Sequence, residues 1–215
     1  MAIVSSLVFE KNGITAEKFF KTEHTAFYRF ADGEILTATV YEMRVSPLGV
    51  AGIPFVNSRW VIVEDGHLIF EEFSLREFEI FDPKVKFITR DLPSCEKYAL
   101  LLMEKAEVEF EKILSLIKEK RYEKIIGLGP GLTPLGDDIL SGMIIAGYEA
   151  DFPIITNDIS KQQLIHAKKR LAPLPVKTFL ETGDDSELLD MGATSGAGWA
   201  FGITYILGGC KWFTQ

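Results

Sequence analysis

Histidine and cysteine are scarce in this chain, which has three of the first (His24, His67 and His166) and two of the second (Cys95 and Cys210). No H-x-x-x-H or H-E-x-x-H spacing occurs, and the cysteines, far apart in sequence, match no zinc pattern. A zinc enzyme is therefore not expected. The default is a reduced, cytoplasmic protein, with room for one disulfide at most. Side-chain amides are few as well: Asn12, Asn57, Asn157, Gln162, Gln163 and Gln215. Set beside 31 acidic and 23 basic residues, that shortage resembles heat-adapted proteins, in which labile amides are rare and ion pairs dense.

Basic surface is also in short supply. A net charge of −8 argues against nucleic acid as a partner, since phosphate backbones demand clustered Lys and Arg. The first residues, MAIVSSLVFEKNG, lack the charged start and cleavage site of a signal peptide. The uncharged run Met191–Cys210 holds six glycines with Thr and Ser, and its helical part falls short of the ~20 apolar residues of a membrane span. A buried core helix is expected there, and no membrane partner.

The 215 residues, 47% of them apolar, suffice for one large domain or two small ones. The first part reads as β. Asn12-Gly13, Asp32-Gly33 and Asp65-Gly66 supply the positive φ of tight hairpin turns. Around them lie runs rich in Val, Ile, Phe and Tyr: Ile3–Glu10, Ala26–Phe30, Ile35–Val45, Phe55–Val63, His67–Phe73 and Glu77–Phe81. Short strands with tight turns predict a small barrel or sandwich. The connector Val45–Pro54 is too apolar for a surface loop, so it is expected to cover the barrel end, or to meet the helical half or a second subunit, and a homodimer is the commonest way to hide it. Arg59, beside Trp60, reads as a surface cross-strand arginine. Asp82-Pro83 and Asp91-Leu92-Pro93 bracket a change of period and mark a domain boundary.

From Ser94, a good N-cap, apolar residues recur at helical spacing to about Arg121 (Leu100, Leu101, Met103, Val108, Ile113, Leu114, Ile117). Its Glu and Lys residues read as a solvated face. Further helices are expected over Ile139–Tyr148, Ser160–Arg170 (opened by a capping box), Pro175–Glu181, Asp184–Met191 and Ser195–Leu207. The one at Ile139 is apolar all round and should be buried. His166, among Leu164, Ile165 and Ala167, reads as structural. The architecture expected is α+β: an N-terminal antiparallel β-barrel-like domain over residues 1–91, then an all-α C-terminal domain over residues 92–215 with a buried central helix.

The stretch that carries chemistry is Gly127–Asp138, GLGPGLTPLGDD, with four glycines, two prolines and two adjacent carboxylates. It fits neither the P-loop, for want of a lysine, nor G-x-G-x-x-G, because Leu132 stands where the third glycine belongs. Thr133-Pro134 reads as an N-cap followed by proline at the first helical position. One reading is a rigid connection in which Asp137 and Asp138 complement a helix dipole, much as Gly183-Asp184-Asp185 does before another helix. The other is a ligand site. Gly127, Gly129, Gly131, Thr133 and Gly136 would cradle a small anion, and Asp137 and Asp138 would hold a metal or move a proton. A second helix start, Thr194-Ser195-Gly196, could converge on the same anion. Two carboxylates and an anion at one helix end repel each other. Mg²⁺ bridging Asp137 and Asp138 is the first solution. A protonated aspartate, or a ligand whose near end is neutral or cationic, are the others. Asp137 with Ser141, and Asp138 with Gly142, are i,i+4 pairs, so Gly142 is expected to leave space beside Asp138.

GLGPGLTPLGDDILSG resembles the signature of the AllH-like family, long catalogued as a domain of unknown function. The resemblance continues through Thr156-Asn157-Asp158-Ile159-Ser160, Leu164 and Ala167, and then through Gly192-Ala193-Thr194-Ser195-Gly196 up to Gly202. It spans most of the chain beyond about Leu100. In the family an acidic residue often follows the last motif by two positions, where this chain has Gly198. Members are associated with FdrA-type proteins, and one branch is a subunit of oxamate carbamoyltransferase. The resemblance implies carbamoyl or related carboxyl group transfer on small carboxylate or amide substrates, and an FdrA-like partner. The carbamoyl-phosphate motif S-T-R-T is absent, so that role rests on the resemblance. The residues alone also admit a Mg²⁺-dependent hydrolase of a phosphorylated or ADP-ribose-like substrate, and a non-enzymatic ligand-binding assembly subunit.

Overall fold

Turn chemistry organises the first half of the chain in a computed structural model that describes residues 1–208 and 210. The hairpin between strands β6 (Trp60–Glu64) and β7 (His67–Phe70) turns on Asp65 and Gly66, both at positive φ (47° and 77°), as a two-residue turn of this hand requires. Asp32-Gly33 closes the hairpin of β3 (Thr25–Arg29) and β4 (Ile35–Thr39), where Phe30 N–H bonds the Glu34 carbonyl. The remaining strands are β1 (Ala2–Ser5), β2 (Thr15–Lys21), β5 (Gly49–Ala51), β8 (Ser74–Leu75) and β9 (Phe78–Phe81). All nine form one barrel-like, nearly closed sheet in the order β8-β7-β6-β2-β3-β4-β5-β1-β9.

Several details differ from expectation, among them Asn12-Gly13, which joins a 3-10 turn to β2 instead of closing a hairpin. The sheet is mixed rather than antiparallel, because β4–β5 and β1–β9 pair in parallel. The first strand stops at Ser5, whose hydroxyl accepts the Leu7 N–H and opens a 3-10 turn over Ser6–Lys11. Most consequential is the connector Val45–Pro54. It contributes β5, whose three residues are all buried, and Val45, Leu48 and Ile53 are buried with them. Gly49 makes the crossing feasible: a Cβ there would stand 2.4 Å from the Ser46 hydroxyl and 2.9 Å from the Thr37 carbonyl. The apolar connector is barrel core within one chain, which removes the ground on which a homodimer was expected. The barrel interior is filled by Val4, Tyr28, Leu36, Val50, Val63, Leu68, Phe70 and their neighbours. Arg59 is the ion-pair partner of Glu71, with its Nε 2.8 Å from Oε1, and the guanidinium holds the Glu71 carboxyl down to about 2.

The chain divides into two compact units, Met1–Lys84 with Ala172–Leu174, and Val85–Leu171 with Pro175–Gln215. The division falls inside the Pro-rich bracket, after Lys84 and so earlier than residue 91, because the extended piece beyond Lys84 bonds to the helical part of the chain. Val85 N–H meets the Arg170 carbonyl at 3.0 Å, and Thr89 N–H meets that of Leu180 at 2.8 Å. The short return Ala172–Leu174 bonds instead to Pro83 and Val45.

The second unit is built on helices α1 (Cys95–Lys118), α2 (Leu135–Ile145), α3 (Asp158–Lys168), α4 (Leu174–Thr182), α5 (Ser186–Leu189) and α6 (Ser195–Gly208). Helix α1 is broken at Ala106 (φ −155°, ψ 51°). Every residue of α2 is buried, Asp137 and Asp138 included. Helices α2 and α6 cross in close contact through glycine. A Cβ on Gly142 would lie 2.3 Å from the Trp199 carbonyl, and one on Gly202 2.1 Å from that of Ile139. Gly142 therefore serves helix packing and leaves no ligand space beside Asp138. Cys95, at the start of α1, and Cys210, beyond α6, carry buried thiols that are not joined in a disulfide, and the Cys95 thiol interacts with Cys210. Burial pushes the Cys95 thiol far above its ordinary range. Among the described residues no helix is long and apolar enough to cross a membrane.

Candidate functional site

The glycine loop is drawn tight before α2 begins. Gly127, Gly129 and Gly131 take φ of 73°, 106° and 102°, where side chains are strained. Gly136 serves close approach, since a Cβ there would stand 1.8 Å from the Ile125 carbonyl. Its N–H bonds the Leu128 carbonyl at 2.8 Å, folding the loop back over the first turn of α2. The helix starts at Leu135 with Pro134 as its cap residue, so Thr133 is not the N-cap and its hydroxyl is released for other contacts. Its outer wall comes from α3. Asn157, the actual cap of α3 in place of Ser160, donates from Nδ2 to the Leu132 carbonyl at 2.9 Å, and the Ser160 hydroxyl reaches the same carbonyl at 3.3 Å.

The two aspartates have separate fates. Asp137 is fully committed: Oδ1 accepts the Gly127 N–H at 2.8 Å and Oδ2 accepts the Thr156 hydroxyl at 2.7 Å. It ties the loop, α2 and the segment before α3 into one piece. Its expected bond to Ser141 goes instead through the backbone, the Ser141 hydroxyl donating to the Asp137 carbonyl at 2.7 Å. Asp138 has one oxygen engaged, Oδ1 accepting from Gln163 Nε2 at 2.9 Å. Its Oδ2 is buried and has no hydrogen-bond partner among the described residues. Thr133 and Ser195 stand near enough to favour the ionised form, yet neither hydroxyl makes a hydrogen bond to Oδ2. Burial above all pushes the Asp138 carboxyl up to about 7, against Gln163, Ser195 and Thr133, which favour the ionised form, while the charge of Asp137 adds a smaller upward push.

The start of α6 does converge on the start of α2. The Thr133 and Ser195 hydroxyls are 3.3 Å apart, and both residues are half-buried above the fully buried Asp138. Gly198 brings them there: a Cβ on it would stand 3.1 Å from the Asp138 Cβ. The place an acidic side chain would take at that position is thus filled by Asp138. Of the other expected residues, Gly196 packs under Leu188, whose carbonyl a Cβ would meet at 1.7 Å, and Thr194 offers its carbonyl to the Gly198 N–H. Gly127, Gly129 and Gly136 shape the loop, while Gly131 is exposed with open space around its Cα. His166 is buried on α3. Sequence reasoning missed Gln163 and Thr156, which hold the two carboxylates. Thr156 lies in the second segment of the family resemblance, and the structure joins all three segments through Asp137, Leu132 and the Thr133–Ser195 pair.

This arrangement suits proton transfer. A carboxyl that ionises near neutrality, buried beneath two half-exposed hydroxyls, can accept and return a proton at working pH. It suits a two-aspartate metal centre poorly, because both oxygens of Asp137 already accept hydrogen bonds and a backbone N–H faces one of them. Among the described residues no three His, Cys, Asp or Glu side chains gather as a metal site. In comparisons with protein-family models, curated proteins and solved structures, nothing matches this chain.

Proposed function

We propose that this chain catalyses, or is a subunit in, carbamoyl or related carboxyl group transfer on small carboxylate or amide substrates, working where α2 and α6 begin. The reaction class rests on the resemblance of the glycine-loop motif. The observation that carries the site is Asp138, buried with an open Oδ2. A buried acceptor without a donor is costly, and a ligand that supplies N–H there recovers that loss. A carbamoyl NH₂ is such a donor and is neutral, which answers the repulsion between an anionic substrate and two carboxylates. The anionic end of the substrate then points outward, over Gly131 and the helix starts, where backbone N–H groups and helix dipoles favour negative charge.

A Mg²⁺ bridge between the aspartates, and with it the hydrolase reading, would break the bonds from Gly127 and Thr156 that hold the loop. An FdrA-like partner belongs to the proposal on the strength of the resemblance, and co-expression followed by size exclusion tests it. For the site itself, thermal unfolding is followed with carbamoyl phosphate and with inorganic phosphate at equal concentration. Carbamoyl phosphate is expected to raise the midpoint further, and Asp138→Asn to abolish the difference. Equal shifts with both ligands, or an unchanged response in Asp138→Asn, would refute the reading.

A further inference from the structure

Ser195 is the first residue of a fourteen-residue helix, where the dipole favours a developing negative charge on its hydroxyl oxygen. It is half-exposed, and Gly192 and Ala193 just ahead of it in the chain are exposed, so a ligand can reach it from solvent. Behind it lies the buried, open Oδ2 of Asp138, and beside it the Thr133 hydroxyl at 3.3 Å. Gly198 keeps the first turn of α6 against Asp138, with no side chain between. A half-exposed hydroxyl, a buried base and a second hydroxyl that orients the first make up the parts of an activated nucleophile, loosely spaced as such contacts often are before substrate binds.

We propose that Ser195 is the nucleophile of the transfer, with Asp138 as its general base and Thr133 as a positioning residue. This rests on the group-transfer reading above and adds a covalent intermediate to it. Ser195 begins α6 and carries a primary hydroxyl, the less hindered of the two. In the first half-reaction the Ser195 Oγ attacks the carbamoyl carbon. The Oγ–C bond forms, the hydroxyl proton passes to Asp138 Oδ2, and the bond from carbon to the leaving group breaks. The leaving group departs with the electron pair and takes the proton from Asp138. In the second half-reaction the amide or amine nitrogen of the acceptor attacks the same carbon. Its proton passes to Asp138 and on to Oγ as the Oγ–C bond breaks, which restores the serine.

The probe is p-nitrophenyl carbamate, whose p-nitrophenolate is read by absorbance. The wild-type chain should release a burst equal to its own concentration and gain the mass of one carbamoyl group, mapped by peptide mass spectrometry to Ser195. Ser195→Ala should lose burst and adduct while keeping its thermal shift with carbamoyl phosphate. Ser195→Cys should keep a burst, which guards against a merely structural loss. Asp138→Asn should slow the burst at least ~100-fold, and Thr133→Val should slow it while leaving the adduct on Ser195. A burst that persists in Ser195→Ala, an adduct elsewhere, or no burst from the wild type overturns the nucleophile. If the carbamoyl phosphate shift survives those results, the binding site stands without it. A wild type that shows no such shift loses the group-transfer reading itself.

Discussion

Asp137 and Asp138 are adjacent, equally buried and identical in chemistry, yet amide replacement should move stability in opposite directions. In Asp137→Asn one acceptor oxygen becomes a donor. The amide oxygen can keep the Gly127 N–H and the Thr156 hydroxyl can turn to accept, so both contacts survive without charge assistance. A charged hydrogen bond exceeds a neutral one by about 1 kcal/mol, so Asp137→Asn should lose about 1–2 kcal/mol. Asp138 is the reverse case. Its carboxyl ionises near 7 when folded against 3.8 unfolded, chiefly through burial. Between those values the native state holds more protons than the unfolded state, so its contribution is complete below about pH 4 and is lost as pH rises through about 7. The loss amounts to about 4 kcal/mol at most. The charged neighbour facing Asp138 is Asp137 on its own helix. Gln163 from α3, Thr133 from the loop and Ser195 from α6 are neutral. Asp138→Asn removes this pH dependence. It should match the wild type near pH 4 and exceed it increasingly to pH 8, where its oxygen still accepts from Gln163. Urea unfolding of the three proteins at pH 4, 6 and 8 measures this. A destabilised Asp138→Asn at pH 8, or parallel pH profiles, would refute the assignment of one structural and one chemical aspartate.

Gly142→Ala should destabilise the helical unit by about 1–3 kcal/mol by forcing α2 from α6, as denaturant titration would show. A silent substitution would mean that the crossing is looser than the 2.3 Å approach implies. Val50→Asp should unfold the barrel rather than split a dimer, since Val50 is buried within the chain. Sedimentation of the variant showing a folded chain of half the wild-type mass would contradict this. The scarcity of amides and density of charge predict a melting midpoint above the ~45–65 °C of ordinary mesophile domains, to be read by calorimetry.

Much of the fold was legible in local chemistry. Asp32-Gly33 and Asp65-Gly66 announced their hairpins because positive φ is a property of the turn residues themselves. The starts of α1 and α6 could be read from Ser94 and Ser195, and the burial of α2 from apolar residues on every side. What escaped is what depends on distant partners. Strand β2 hid because Glu17, Lys18 and Lys21 interrupt its apolar residues, Phe19 and Phe20 are exposed, and a bulge between Lys18 and Phe20 breaks its alternation. The connector's apolar residues were visible, but only the pairing of β5 between β4 and β1 decided that they fill a core instead of an interface. The same holds at the site. The sequence determined that two carboxylates, a rigid glycine loop and two hydroxyl-bearing helix starts exist. Tertiary structure alone decided that Gly127 and Thr156 consume both oxygens of Asp137, that Gln163 consumes one of Asp138, and that Ser195 arrives 3.3 Å from Thr133. Spacing along a chain fixes which groups share a turn of helix. Which of two neighbouring carboxylates is left open depends on donors brought from elsewhere in the fold, and no local pattern encodes them.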